Sequence, residues 1–230
     1  MRSPSRREFL SSTSLACMGV SVPEAARSAS AFQSPLDRVQ VAVIGSNGMG
    51  HAHLNNLVGR EDVEVTHLCD IDSAVLARGA ETVKNGTGKT PTATHEFLDV
   101  VENKSIDAVI IATPHHWHCP IAIRAIQAGK DVYVEKPASH VFREGQLLIK
   151  AAKKYGRIIQ HGTQMRSSEV TQAAGEVLQS GILGEVKMSK AWNVQRQKAL
   201  RPQADEPMPR GVDYDRWLGP ARKRTYNRNR

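Results

Sequence analysis

Glu135-Lys136-Pro137 closes a short apolar run, Asp131-Val132-Tyr133-Val134. The run reads as a strand that ends in a carboxylate, an amine and a proline. In an α/β protein, ligands bind outside the carboxyl ends of the parallel strands, and that places Lys136 where chemistry would happen. Lys-Pro is also ordinary strand-ending punctuation, so the pair gains meaning from what lies upstream.

Upstream, Val39 to Ile44 reads as a buried apolar strand that stops at Gly45-Ser46-Asn47-Gly48-Met49-Gly50. An amphipathic helix follows, about Met49 to Val58, with Leu54, Leu57 and Val58 at helical spacing. Strand, glycine loop and helix in that order is the context of a dinucleotide fingerprint. Such a loop turns tightly, lets backbone approach a pyrophosphate, and aims helix N–H groups at it. Aligned as G-x-G-x-x-G, the positions are Gly45, Asn47 and Gly50, with Asn in the middle. Asn tolerates left-handed backbone better than most residues, and Gly48 adds local freedom.

The next strand, Val63 to Cys69, ends at Asp70, 25 residues after Gly45. An acid there accepts hydrogen bonds from the adenosine ribose hydroxyls and repels a 2′-phosphate. No Arg or Lys follows until Arg78, so NAD is favoured over NADP. Asp72 rather than Asp70 suits the N-cap of the helix that begins near Ser73.

The elements that position these residues alternate. Asp107 to Ala112 reads as a strand ending in Thr113-Pro114-His115-His116-Trp117-His118, and a helix from about Pro120 to Ala128 is closed by Gly129. After the strand that leads to Lys136, a helix from about Phe142 to Tyr155 runs through Gly156 into a strand, Arg157 to Gln160. This alternation predicts a parallel, doubly wound sheet.

Taken in order, the glycine loop, Cys69-Asp70-Ile71-Asp72, Ala112 to His118 and Gly129 to Pro137 resemble the Gfo/Idh/MocA oxidoreductases, over about residues 38 to 230. His115 to His118 and Val212 to Pro220 are similar to an exported subgroup of that family. The resemblance implies a Rossmann NAD-binding domain over 38–166. Residues 167–230 would then be a linking helix and the truncated start of an α+β substrate domain with an open, mostly antiparallel sheet. It implies that Gly45, Asn47, Gly48, Met49 and Gly50 wrap the pyrophosphate and that Asp70 holds the adenosine ribose. Thr113 and Pro114 would line the nicotinamide side, with His118 at the following helix start. Glu135 would contact the nicotinamide ribose. Lys136, joined to Pro137 by a cis bond, would sit by the reacting carbon and polarise or help deprotonate a sugar hydroxyl. An alcohol that loses hydride must also lose a proton, and a lysine beside a bound cofactor is partly desolvated, which suits it to that transfer. The implied activity is hydride transfer between the nicotinamide and a sugar, cyclitol or polyol. Some relatives use the same cofactor for transient oxidation, with net hydrolysis or elimination of glycosides; a truncated, non-catalytic NAD-binding module is the remaining alternative.

The family's second domain carries an Asp and a His that complete the catalytic group. Here Gly175 to Gly181 reads as the linking helix and its end, and Gly184 to Trp192 as the first strand of that domain. No His follows His161. The sequence therefore reads as a fragment of a longer enzyme, because the strand near Val186 would otherwise present an unpaired apolar edge. A homo-oligomer is expected of the full-length form.

Ser5-Arg6-Arg7-Glu8-Phe9-Leu10 resembles a twin-arginine export motif, and Ala29-Ser30-Ala31 reads as a cleavage site. Residues 1–31 are thus expected to be a signal peptide, with a periplasmic mature chain that begins at Phe32. The apolar stretch from Leu10 to Val22 is too short and too rich in Ser to anchor in a membrane. The net charge of +8 raises nucleic-acid binding, but residues 32–195 are balanced and the excess lies at the two ends. A nucleic-acid footprint should sit on a folded face, so none is expected; the terminal run from Arg222 to Arg230 reads as a loop cut from its acidic neighbours. Cys69 and Cys119 are expected as free thiols. Three histidines within four residues on one turn rarely converge on one ion, so His115, His116 and His118 are read as pocket lining and no metal is expected.

Overall fold

The computed structural model describes residues 38–192 and 201–229; the export motif and cleavage site lie outside them. Six parallel strands form one sheet: β1 (Val39–Ile44), β2 (Val63–Cys69), β3 (Thr92–Thr94), β4 (Ala108–Ile111), β5 (Asp131–Glu135) and β6 (Ile159–Gly162), in the order β3-β2-β1-β4-β5-β6. This is the doubly wound Rossmann-like arrangement. The chain reverses direction between β1 and β4, so a crevice opens at their carboxyl ends.

Strand residues point alternately to opposite faces, and both faces are covered. From β1, Ala42 and Ile44 join β4 and β5 residues in one core with helix α4 (His115–Gln127), through Ile121, Ala122, Ala125 and Ile126. Val43 joins the other core with Leu54 of α1 (Met49–Leu57) and Leu76 and Val83 of α2 (Ser73–Thr87). Asp72 caps α2, accepting from the Ala74 and Val75 amides at 2.8 and 3.3 Å. Gly88, left-handed at φ 74°, ends it. α5 (Phe142–Tyr155) begins where Glu144 Oε2 accepts from the His140 and Val141 amides.

Five stretches differ from the sequence expectation. β3 and α3 (Phe97–Glu102) carry no apolar run long enough to announce them. α4 begins at His115, not Pro120: Pro114 takes the cap position and Pro120 lies inside the helix. α6 (Glu169–Gln179) begins where the Ser168 hydroxyl accepts from the Thr171 amide at 3.2 Å, ahead of the expected Gly175. Residues 185–192 form no strand, because no described residue pairs with them; Val186, Met188 and Trp192 are exposed. A short helix, α7 (Tyr214–Leu218), is the last regular element of the described residues. Cys69 and Cys119 are buried free thiols, pushed by burial to about 12 and about 11. Among the described residues, no helix is long and apolar enough to cross a membrane.

Candidate functional site

Two glycines make the loop after β1 possible. Gly45 has φ +86°, and a Cβ there would stand 2.7 Å from the Ala112 carbonyl at the end of β4. A Cβ on Gly50 would stand 1.7 Å from the Gly45 carbonyl oxygen. Only glycine lets the loop turn over the crevice and start α1 directly beneath it. At the middle position, Asn47 Oδ1 accepts from Arg78 Nη2 at 2.7 Å, a bond from α2 that pins the loop. Gly48 and Met49 are exposed at the loop tip and Gly50 is buried. α1 has no side-chain cap and no acid in its first turn. Its backbone donors and the positive end of its dipole therefore suit an anion.

Asp70 stands across the crevice. Its carboxylate accepts from the Ser46 amide at 2.7 Å and the Asp72 amide at 3.1 Å. Burial pushes its carboxyl up against the pull of those bonds. A carboxylate has about four lone-pair sites, so two amides leave capacity for ribose hydroxyls. Gly45, Asn47, Asp70, Thr113 and Pro114 line one cavity of about 1000 Å³. Thr113 Oγ1 is buried there without a hydrogen-bond partner, as are Ser46 Oγ and His51 Nδ1 nearby on the loop and α1. An orphaned hydroxyl in the wall, a loop that only glycine fits and an uncapped helix start all match a dinucleotide.

The end of β5 is a separate cluster. Glu135, 4% exposed, takes His53 Nε2 at 2.8 Å, the Lys136 amide at 3.1 Å and Gln164 Nε2. Burial pushes its carboxyl up, but those donors outweigh burial and hold it below the usual range. The His53 ring also meets Tyr133 edge-on at 5.1 Å. Lys136 is exposed beside this cluster, and its bond to Pro137 is cis. The structure does not bring Glu135 and Lys136 into the lining of the 1000 Å³ cavity.

His118 faces neither region. It is 1% exposed, with Nδ1 2.7 Å from the Pro137 carbonyl and Nε2 2.7 Å from the Thr113 carbonyl. Both ring nitrogens tie the end of β4 to the end of β5, because α4 begins early enough to turn the side chain inward. His116 Nε2 meets the Trp217 carbonyl at 2.7 Å, so it too is not pocket lining. Among the described residues, no three His, Cys, Asp or Glu side chains are grouped to hold a metal ion.

Residues 39–163 match the model of the Gfo/Idh/MocA family, described as an oxidoreductase family with an NAD-binding Rossmann fold. The chain belongs to that family. A glycosyl hydrolase family 109 protein of Stenotrophomonas maltophilia is 30% identical over 187 residues, 79% of this chain and 40% of that protein. Myo-inositol 2-dehydrogenase of Lactobacillus plantarum superposes with a TM-score of 0.58 at 28% identity, covering 65% of this chain and 43% of that one. An NAD-binding oxidoreductase of Klebsiella pneumoniae superposes with a TM-score of 0.55 at 26% identity, over 64% and 40%. The chain thus spans about two fifths of the length of its Gfo/Idh/MocA relatives.

Three features of this Gfo/Idh/MocA site were not read from sequence as parts of it. His53 and Gln164 reach Glu135 from α1 and from the turn after β6, and no local pattern marks either. Val212 to Tyr226 forms one wall of the cavity. Its repeated acids and aromatics were visible, but nothing local says where such a segment docks.

Proposed function

We propose that this chain is the NAD-binding part of an oxidoreductase that transfers hydride between nicotinamide and a hydroxyl-bearing carbon of a sugar, cyclitol or polyol. The observation that carries the reading is the crevice at the β1–β4 reversal, where Gly45, Asp70 and Thr113 line one cavity and Gly50 packs beneath the Gly45 carbonyl. The start of α1 binds the pyrophosphate, and Asp70 accepts from the adenosine ribose. Glu135, ordered by His53 and Gln164, orients the nicotinamide ribose. Lys136 takes or returns the hydroxyl proton at Nζ. Bound NAD supplies the hydride acceptor. Asp70 favours NAD over NADP through charge repulsion of a 2′-phosphate.

The dehydrogenase neighbour from L. plantarum supports a cyclitol-like substrate. The family 109 relative supports a second reading, transient oxidation by a retained cofactor with net glycoside cleavage. Turnover without net NADH release separates that reading from simple oxidation. The motif at Ser5 to Leu10 supports export with cleavage before Phe32; a full-length product retained in the cytoplasm would overturn export, and an exported product that begins elsewhere would overturn the cleavage site.

The direct test is NADH titration of the purified chain, followed by fluorescence and thermal shift, beside Asp70→Ala. Saturable binding that the variant loses supports the reading. A folded chain that binds no NADH overturns it.

A further inference from the structure

The segment that follows Pro209 returns to the nucleotide-binding sheet and is tied to it at several points. Val212 forms an antiparallel bridge with Asp72, just past β2. The Asp213 amide donates to the Ile71 carbonyl at 3.0 Å, and the Ser73 amide to the Gly211 carbonyl at 3.0 Å. Trp117 Nε1, from α4, donates to the Arg216 carbonyl at 2.8 Å. Gly219, at φ +50°, lies so close to the Trp117 ring that a Cβ there would stand 2.2 Å from it. Leu218 is 1% exposed and anchors the short helix.

Arg216 makes the remaining tie. Its Nη1 donates to the His95 carbonyl at 2.9 Å, its Nη2 lies 3.3 Å from Glu96, and its Nε lies 3.3 Å from Asp213. His95 in turn meets the Asp70 carbonyl through Nδ1 at 2.8 Å. One guanidinium therefore spans the returning segment and the β3–α3 loop beside the acid proposed to hold ribose. The face turned to the crevice carries Arg216, Trp217, Lys223 and Tyr226, all of which line the cavity with Asp70 and Thr113. Lys223 is paired with Asp215 at 3.0 Å. Of the terminal bases read as cut from their acids, Lys223 thus finds a partner nearby, and Arg228 pairs with Glu206 at 2.6 Å.

We propose that Val212–Tyr226 is the outer wall of the adenosine end of the nucleotide site, with Trp217 as an apolar plate and Arg216 as the latch that holds the plate in place. The inference rests on the proposed dinucleotide reading and adds a claim about which residues set affinity and release. An aromatic plate suits a planar base, and a planar five-donor guanidinium fits a three-partner junction that a lysine does not. A nucleotide seated between the strand ends and this wall leaves only when the wall yields.

The test uses the full chain with ADP-ribose, which lacks the nicotinamide, and with NADH. Arg216→Lys keeps the charge and breaks the junction; Trp217→Ala removes the plate; Asp70→Ala reports the cleft itself. Both wall variants are expected to weaken ADP-ribose about tenfold, the scale of one good contact, and to speed NADH release in stopped-flow displacement. Thermal unfolding checks that each remains folded. Wild-type affinity and release in both wall variants, with binding lost in Asp70→Ala, overturns the wall alone. A folded wild-type chain that binds neither ligand overturns the dinucleotide reading and the wall with it.

Discussion

His53 Nε2 lies 2.8 Å from Glu135 Oε1 and joins α1, which starts under the glycine loop, to the end of β5 beside Lys136. The two ends of the proposed site are therefore mechanically linked. Replacing His53 by Ala leaves a buried carboxylate short of a partner, which costs about 1–3 kcal/mol at neutral pH. The pH dependence gives the sign. The folded Glu135 carboxyl sits below its ordinary 4.5, so its stabilising contribution is full above 4.5 and lost as pH falls through the lower folded value. Urea unfolding should show a large gap between wild type and His53→Ala at pH 7 that closes in acid. A gap that does not change with pH would assign the loss to packing against Tyr133.

Gly50→Ala should be far more damaging than Gly88→Ala. The first forces a Cβ into the Gly45 carbonyl oxygen at 1.7 Å, whereas the second meets nothing within 4 Å. At Gly88 only the left-handed backbone is strained, worth about 1 kcal/mol. Thermal shift with and without NADH should show Gly50→Ala losing both stability and ligand response, with Gly88→Ala keeping the response.

Asp70→Asn should narrow the preference for NAD. The neutral amide no longer repels a 2′-phosphate, so the ratio of NADP to NAD affinity should rise about tenfold, roughly 1.4 kcal/mol. Stability should respond as well. Burial holds the Asp70 carboxyl above its ordinary 3.8, so its contribution is full below 3.8 and lost as pH rises through the higher folded value. The variant should lack that loss, so its stability relative to wild type should climb as pH rises from 3.8.

The strands and caps were legible because they are local. Val39 to Ile44, Val63 to Cys69 and the Asp72 cap needed only an apolar run, a glycine or a side chain two residues away. The start of α4 was misread because proline is favoured in the first turn, and two prolines, Pro114 and Pro120, competed for it. Packing chose Pro114, since the earlier start buries His118 between two carbonyls. The edge strand β3, Thr-Ala-Thr, exists through its pairing with β2 and has no pattern of its own. The ties of Arg216 and Trp117 span about a hundred residues of sequence, and no periodicity encodes them.

Lys130 provides a test of the sheet's other end. It is 3% exposed, and its Nζ donates to the Asn103 carbonyl at 2.5 Å and the Ile106 carbonyl at 2.7 Å. Those carbonyls close α3 and lead into β4, so the amine holds the turn between them. Burial, and then Lys104, hold the amine below its ordinary 10.5. The unfolded chain therefore binds this proton more tightly than the folded one, and stability should rise as pH climbs through the lowered value toward 10.5. Lys130→Met removes that rise. At neutral pH it strands two carbonyls, at a cost of about 1–3 kcal/mol, while relieving a buried charge. Equilibrium unfolding from pH 7 to 10 should thus show the variant below wild type throughout, with the difference widening as pH rises. A variant as stable as wild type at every pH would mean that water serves those carbonyls equally well and that the buried amine does not hold the turn.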